Sequence, residues 1–519
     1  MRGHIHFLRR GAVIRLSGVA PHLTLLDYLR LHEGATGTKE GCAEGDCGAC
    51  TVVLRRRAPT LSSLASGGGK GGGLVYDSVN ACIVLAGQAD GADLITVEDL
   101  AHDGSLHPVQ QALVDFHGSQ CGFCTPGFVM SLFALFHAAS APERDEVNDW
   151  IAGNLCRCTG YRPIIDASLA ACATGAKDRF ADRFAADEPE TARALAELDD
   201  GADVFAGTSE RFFAAPASID ALANLYAEHP DAVLVAGATD VGLWVTKQLR
   251  ELRKIIWLGR VKGLDAIEDD AGQVTFGATV THAAALPHLA AIDPDLGGMM
   301  RRFASRQVRH MGTIGGNVAN GSPIGDTPPA LMALGASLVL QNGAVTRTLA
   351  LEDFFIAYGK QDRGPGEFVR AILVPKLKPD ERFRCYKVSK RFDQDISAVM
   401  AAFKLRVEGT RIAAARVAFG GMAATPKRAR AAEAALTGID LADPQGGDLA
   451  CERLSVDFAP ITDHRASAGY RMKIAQALLR KALAEIAGAP SRTTRVIGWR
   501  EETPGPRASR PHQSTQLAR

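Results

Sequence analysis

The chain has no surplus charge of either sign: Lys and Arg together number 58, and so do Asp and Glu. A nucleic-acid binder draws its affinity from a basic surface that neutralises phosphates, so that class is not expected. Long apolar runs are missing as well, and none approaches the roughly 18 residues that a membrane-spanning helix requires. At the N-terminus Arg9, Arg10 and Arg15 interrupt the apolar stretch that a signal peptide would need. These absences predict a cytoplasmic chain with no membrane and no nucleic-acid partner. Cysteine is sparse over most of the length, with only Cys385 and Cys451 beyond Cys172. The other nine lie between Cys42 and Cys172, which excludes an evenly stapled secreted scaffold and points to metal or redox chemistry. With 519 residues, three or four domains are expected.

Several segments carry readable periodicity. Residues 4–16 read as a hairpin, HIHFL and AVIRL about a turn at Arg9-Arg10-Gly11. The amphipathic LLDYLRL precedes a Gly- and Cys-rich loop, and strands are predicted at TVVL (51–54) and around VYDSVNACIVL (75–85). Between them, 55–73 is a low-complexity Gly-rich insert, expected to be a flexible excursion. Residues 107–174 read as four helices, the first with Val109, Ala112, Leu113 and Phe116 on one apolar face. A charged, Ala-rich stretch at 176–210 suits a linker, and strands alternating with helices begin near 211. The expected division is 1–100, 101–175, a linker at 176–210, 211–378, 379–490 and a disordered tail at 491–519.

The first cysteine quartet is Cys42, Cys47, Cys50 and Cys82, with the C-x4-C-x2-C…C spacing of a plant-type [2Fe–2S] ferredoxin. Three thiolates must converge from one loop, and Gly41, Gly45 and Gly48 permit the tight backbone this requires. A structural zinc site also uses four thiolates, but favours paired C-x2-C knuckles. The second quartet is Cys121 and Cys124 in QCGFCTPG with Cys156 and Cys158 in NLCRCTGYRP, each pair on a helix-to-helix turn. Two such centres in series would make an electron wire.

Two further segments suit a bound ligand, the first through a phosphate. VLVAGATDVGLWV (233–245) reads strand–turn–helix, with Gly237 and Gly242 in a turn whose amides can receive a pyrophosphate. In GTIGGNVANGSPIGD (312–326), Gly312, Gly315 and Gly316 allow close approach to a ligand, while Thr313, Asn317 and Asp326 offer polar contacts. Gly67, Gly69 and Gly72 match G-x-G-x-x-G but lack the flanking strand and helix of a dinucleotide fingerprint. Lys70 is followed by Gly71, so there is no P-loop. The arginines of MRRFASRQVRH (300–310) are expected mostly on a solvated face.

GCAEGDCGACTVVL, QCGFCTPG and NLCRCTGYRP together resemble the iron–sulfur half of the xanthine dehydrogenase and aldehyde oxidase family, over about residues 3–490. The resemblance implies an α+β multidomain fold: a β-grasp ferredoxin domain, a four-helix [2Fe–2S] domain, an α/β FAD domain of vanillyl-alcohol-oxidase-like type, and a small α+β C-terminal domain. It implies that electrons pass from the helical-domain cluster to the ferredoxin cluster and on to FAD. Gln120 and Cys158 would approach the molybdopterin of a partner. Val235, Ala236, Gly237, Ala238, Thr239, Asp240, Val241 and Gly242 would hold the pyrophosphate, with Thr313, Gly316, Asn317 and Asp326 towards the adenosine half. Phe303 would flank the isoalloxazine, and Lys387 and Asp395 belong to YKVSKRFDQDIS, the loop that borders the flavin and controls nicotinamide access. Gln394 stands where an acidic residue is expected in animal relatives.

The sequence contains nothing like a molybdenum-binding half. The resemblance therefore implies the small subunit of a two-subunit xanthine dehydrogenase, oxidising hypoxanthine or xanthine to urate and reducing NAD. It would pair with a molybdopterin-binding large subunit in a heterotetramer of two small and two large chains. An aldehyde, nicotinate or aromatic acyl-CoA substrate leaves the same wire in place, and a zinc-stabilised scaffold without catalysis is the alternative of another class. Cys172, Cys385 and Cys451 are expected to be buried or free thiols.

Overall fold

Arg10 and Gly11 both have positive φ, 52° and 76°, as a two-residue type I′ hairpin requires, and they turn β1 (Ile5–Arg9) back into β2 (Ala12–Leu16). The computed structural model describes residues 1–57, 73–139, 141–173, 182–443 and 445–488. Most of the Gly-rich insert and the C-terminal tail lie outside the described residues.

With β3 (Thr51–Arg57), β4 (Leu74–Asn80) and β5 (Asp93–Ile95), the hairpin forms a five-stranded sheet ordered β2-β1-β5-β3-β4, parallel only between β1 and β5. Alternation is lost in β1, all of whose residues are buried, because both faces of the sheet are covered. Phe7, Val52 and Leu54 pack on Leu25 and Leu29 of a short helical segment. Leu8, Val53 and Ile95 face the other way, onto the helical unit. The predicted strand at 75–85 is shorter than expected: it ends at Asn80, so Cys82 leaves the sheet and turns towards the cysteine loop.

Four helices follow: α1 (Pro108–Asp115), α2 (Thr125–Ala138), α3 (Arg144–Ile151) and α4 (Arg162–Cys172). Gly127 through Phe136 of α2 are all buried, which makes it the central helix of the unit. Phe116 does not join the apolar face of α1: it caps the helix and is 43% exposed. The stretch at 176–210 is not a bare linker, for it carries α5 (Arg183–Ala186), α6 (Glu188–Leu198) and β6 (Val204–Thr208). Phe184, Leu195 and Leu198 of its two helices all point into the core under α2, which composition alone does not reveal.

The rest of the described residues form three larger sheets and a two-stranded ribbon. β6, β7 (Arg211–Ala215), β8 (Val233–Val235) and β9 (Lys254–Trp257) order as β6-β7-β9-β8. A five-stranded antiparallel sheet follows and packs on α9 (Ile314–Asn320), whereas α7 (Val241–Thr246) packs on the core of the first sheet and α8 (Arg306–Met311) lies against β4. The last sheet is a meander from Glu381–Val388 to Lys427–Arg428 backed by the long helix Ala468–Ile486. None of these sheets closes into a barrel, and no helix of the described residues is long and apolar enough to cross a membrane.

Candidate redox centres and flavin cleft

Cys42, Cys47 and Cys50 lie on one irregular loop between the short N-terminal helical segment and β3, and Cys82 lies just past β4. The loop is held by its own backbone: the amides of Asp46 and Cys47 donate to Cys42 Sγ at 3.4 and 3.3 Å. Asn80 Nδ2 donates to Gly45 O at 2.6 Å and ties the fourth cysteine's segment to the loop. The four thiols converge closely enough to share protons. Hydrogen bonds from Cys47 and then Cys82 hold Cys42 well below the ordinary thiol range, while Cys47 and Cys82 are pushed up in return. Three of these glycines have no room to be anything else. A Cβ on Gly41 would stand 2.8 Å from Cys47 Sγ, and Gly45 and Gly48 have φ of 78° and 68°. Four converging thiols with amides aimed at sulfur fit a [2Fe–2S] centre.

The second quartet sits at one end of the helical unit. Cys121 pairs with Cys158 and Cys124 with Cys156. Burial and then the neighbouring Cys156 push Cys124 up to about 12. Cys156 is held down: burial opposes this, but Thr159 Oγ1 at 3.1 Å and the Thr159 amide at 3.4 Å favour the thiolate. Tyr161 has φ of 69° and returns its hydroxyl to the Cys156 amide at 2.9 Å, closing the turn. Cys121 and Cys158 are exposed, as are Gln120, Phe123 and Leu155.

The two quartets touch through the backbone. Leu155 N–H donates to Cys47 O at 2.9 Å. A Cβ on Gly48 would lie 2.2 Å from Gly153 O, and one on Gly127 would lie 2.1 Å from Gly48 O. Only glycine at these positions lets the ferredoxin loop and the helical unit meet.

The predicted nucleotide segments come together. A Cβ on Gly237 would stand 1.8 Å from Met311 O, and Gly316 lies against Ala236. Thr313 caps α9 by accepting from Gly316 N at 2.9 Å. Ala236 O is held by Gln88 Nε2 at 3.0 Å and Trp257 Nε1 at 3.1 Å, while Ala238 takes φ of 61°. Thr239 faces Gly312, Val241 opens α7, and Asp240 is solvent-accessible at the turn. The open cradle of glycines, with α7 and α9 starting at its rim, fits an elongated nucleotide such as FAD. This cradle also presses on the first quartet. A Cβ on Gly242 would lie 2.4 Å from Ile83 O, next to Cys82. Thr246 Oγ1 donates to Ala43 O at 2.7 Å, and Lys247 Nζ donates to Cys42 O.

Asp326 and Lys387 face each other, Nζ to Oδ2 at 2.5 Å with both side chains buried, and Ser397 Oγ donates to Asp326 Oδ1 at 2.5 Å. Asn317 Oδ1 accepts from Thr327 Oγ1. Phe303 packs on His282 with ring centroids 4.4 Å apart. Asp395 accepts from the Arg391 amide at 2.7 Å, and Gln394, with φ of 48°, reaches Ala152 O on the helical unit. The solvated-face expectation for 300–310 fails at two arginines. Arg309 is buried and donates to the carbonyls of Arg301, Phe303 and Ala304, and Arg306 lies 3.4 Å over the Trp150 ring. Both serve contacts between and within domains that no periodicity announces. Cys172, Cys385 and Cys451 are buried and form no disulfide.

Thr51, Ser131, Asn154 and Gln307, marked by no motif or period, meet as a buried polar cluster between the three domains. Each is an ordinary polar residue within an otherwise unremarkable stretch.

Four family models match in order: a 2Fe-2S iron-sulfur cluster binding domain at 14–86, a [2Fe-2S] binding domain at 96–169, the FAD binding domain in molybdopterin dehydrogenase at 207–377, and the CO dehydrogenase flavoprotein C-terminal domain at 384–486. The chain is 32% identical over 510 residues to xanthine dehydrogenase of Emericella nidulans, covering 88% of this chain and 36% of that protein. It is 32% identical over 492 residues to xanthine dehydrogenase 2 of Arabidopsis thaliana, covering 80% and 35%. It thus spans little more than a third of these relatives. A chain of the Cu,Mo-CO dehydrogenase in its cyanide-inactivated form superposes with a TM-score of 0.50 at 29% identity, over 53% of this chain and 96% of that one. A chain of reconstituted CO dehydrogenase from Oligotropha carboxidovorans gives 0.50 at 28%, over 54% and 98%.

Proposed function

The chain belongs to the molybdenum hydroxylase family as an iron–sulfur and flavin protein, and from that premise we propose that it is the electron-transfer and NAD-reducing subunit of a xanthine dehydrogenase. The observation that carries this reading is a run of direct protein contact from exposed thiols to the nucleotide cradle. It begins at Cys121 and Cys158, crosses Leu155 to Cys47, and passes from Cys82 and Ile83 to Gly242.

The clusters supply one-electron steps and the flavin supplies a hydride when these groups are bound. The protein places and insulates them. Cys121, Cys124, Cys156 and Cys158 would hold the cluster nearest a partner chain carrying molybdopterin, and exposed Phe123 and Leu155 would give that partner an apolar footing. Cys42, Cys47, Cys50 and Cys82 would hold the inner cluster. Residues 235–242 would bind the FAD pyrophosphate, Thr313, Gly316, Asn317 and the Asp326–Lys387 pair would line the rest of the nucleotide, and Phe303 would flank its ring. The loop bearing Asp395 is braced by Arg302, which donates to Lys387 O at 3.0 Å and Ser389 Oγ at 3.0 Å, so it can gate a nicotinamide without drifting.

In this proposal the partner hydroxylates hypoxanthine or xanthine, and the complex holds two copies of each chain. The test is anaerobic addition of NADH to the purified chain. Running the wire backwards should bleach flavin and both iron centres together. Flavin and clusters that stay oxidised under NADH, yet are reduced by dithionite, would exclude NAD as the acceptor. Co-purification with a partner active on aldehydes but not xanthine would move the substrate.

A further inference from the structure

Gln307 lies on α8, in the flavin part of the chain, yet its side chain is spent on the other two domains. Its Nε2 donates to Asn154 Oδ1 at 3.0 Å, to Ser131 Oγ at 3.2 Å and to Thr51 Oγ1 at 3.4 Å. Thr51 follows Cys50 directly, and its hydroxyl donates to Gly48 O at 2.6 Å. Asn154 stands two residues before Cys156 and returns its Nδ2 to Gly48 O at 3.1 Å. Ser131 lies on α2, the helix that Cys124 immediately precedes, and donates to Asn154 Oδ1 at 2.7 Å. At its other end α8 terminates in Met311, whose carbonyl meets Gly237 of the nucleotide turn. One amide therefore touches the loops of both quartets, and its helix abuts the cradle.

Gln307 is 1% exposed, and its Oε1 has no hydrogen-bond partner. That oxygen faces Gly153, where a Cβ would come within 2.0 Å. An orphan buried acceptor lowers stability, and an apolar joint of the same shape would avoid the cost. The amide's remaining use is geometric: three donor contacts fix direction as well as distance.

We propose that Gln307 is a positioning residue that sets the spacing of the two iron–sulfur centres from each other and from the flavin, through the Thr51–Ser131–Asn154 cluster. It touches no cofactor. It holds Asn154, hence Leu155 and its hydrogen bond to Cys47, and thereby the contact through which electrons cross. This inference rests on the redox reading above.

The test uses the full chain loaded with iron and flavin. Gln307→Met keeps length and bulk but removes the donor, and Gln307→Glu keeps the shape while placing an acceptor against Asn154 Oδ1. In either variant, hydrogen exchange at the Leu155 amide is expected to rise about five- to tenfold, the worth of about one hydrogen bond. The magnetic splitting between the two reduced centres should weaken while each keeps its own spectrum. Unchanged Leu155 exchange and unchanged splitting in a folded variant would overturn the proposal. So would an exchange increase spread evenly over all domains, which marks a merely structural role. If Gln307→Met does not fold, Gln307→Glu decides by the same two readouts. A wild-type chain that takes up neither iron nor flavin would instead defeat the redox reading itself.

Discussion

The amide of Leu155 donates to the carbonyl of Cys47 at 2.9 Å, so the residue before one quartet's cysteine is bonded to a cysteine of the other. This bond survives only because Gly127 and Gly48 let the two backbones meet. Gly127→Ala puts a methyl 2.1 Å from Gly48 O, and backbone cannot swing aside as a side chain can. Overpacking of this kind costs about 1–3 kcal/mol. A lower thermal midpoint together with weaker magnetic coupling between the reduced centres is expected; full coupling would show that the contact does not set their distance.

Lys387 and Asp326 form a buried pair, with side chains 3% and 4% exposed. Removing one member leaves the other charge buried and uncompensated, at a cost of about 3–5 kcal/mol. Lys387→Met or Asp326→Asn should therefore lower flavin occupancy and the midpoint for flavin release. The double variant should regain part of the loss, and a double variant worse than both singles would argue against direct pairing.

His282 gives the flavin cleft an acid limit. Burial, and next the Arg309 charge, push its imidazole down to about 3 from the ordinary 6.5. Between those values the unfolded chain binds a proton that the folded chain refuses. Stability is therefore full above pH 6.5 and falls as the pH drops towards 3, by about 1.4 kcal/mol per pH unit at most. His282→Phe removes this proton uptake and the buried unpartnered Nδ1. Comparing urea midpoints of the two proteins between pH 7 and pH 5 checks it: the variant's curve should be flatter, and parallel curves would refute the assignment.

Gly242→Ala separates helix propensity from packing. Alanine favours α7 by about 1 kcal/mol, yet its methyl would stand 2.4 Å from Ile83 O. The contact should win, lowering the flavin-to-iron ratio of the purified protein. An unchanged ratio would mean that α7 does not need its close seat beside Cys82.

The quartets were legible because a metal centre demands fixed residue types at fixed spacing, and thiols of each set lie beside one another. The hairpin turn at Arg9-Arg10-Gly11 was equally plain, though not its type. Burial around the cleft was not, since Gln307 owes its position to other domains, and Arg309 to the carbonyls of Phe303 and Ala304 just before it, rather than to local period. Helices at 183–198 escaped notice because three apolar side chains suffice there when all face one core. Phe116 was misplaced for the converse reason: it has the right period but falls one residue past the end of α1.

Iron analysis with electron paramagnetic resonance tests the central claim most directly. Two [2Fe–2S] domains and one FAD domain predict four irons and one flavin per chain, with two distinct signals on reduction. Cys82→Ser should abolish one signal and Cys156→Ser the other. Zinc in place of iron, or both signals intact in the Cys156→Ser protein, would contradict the account.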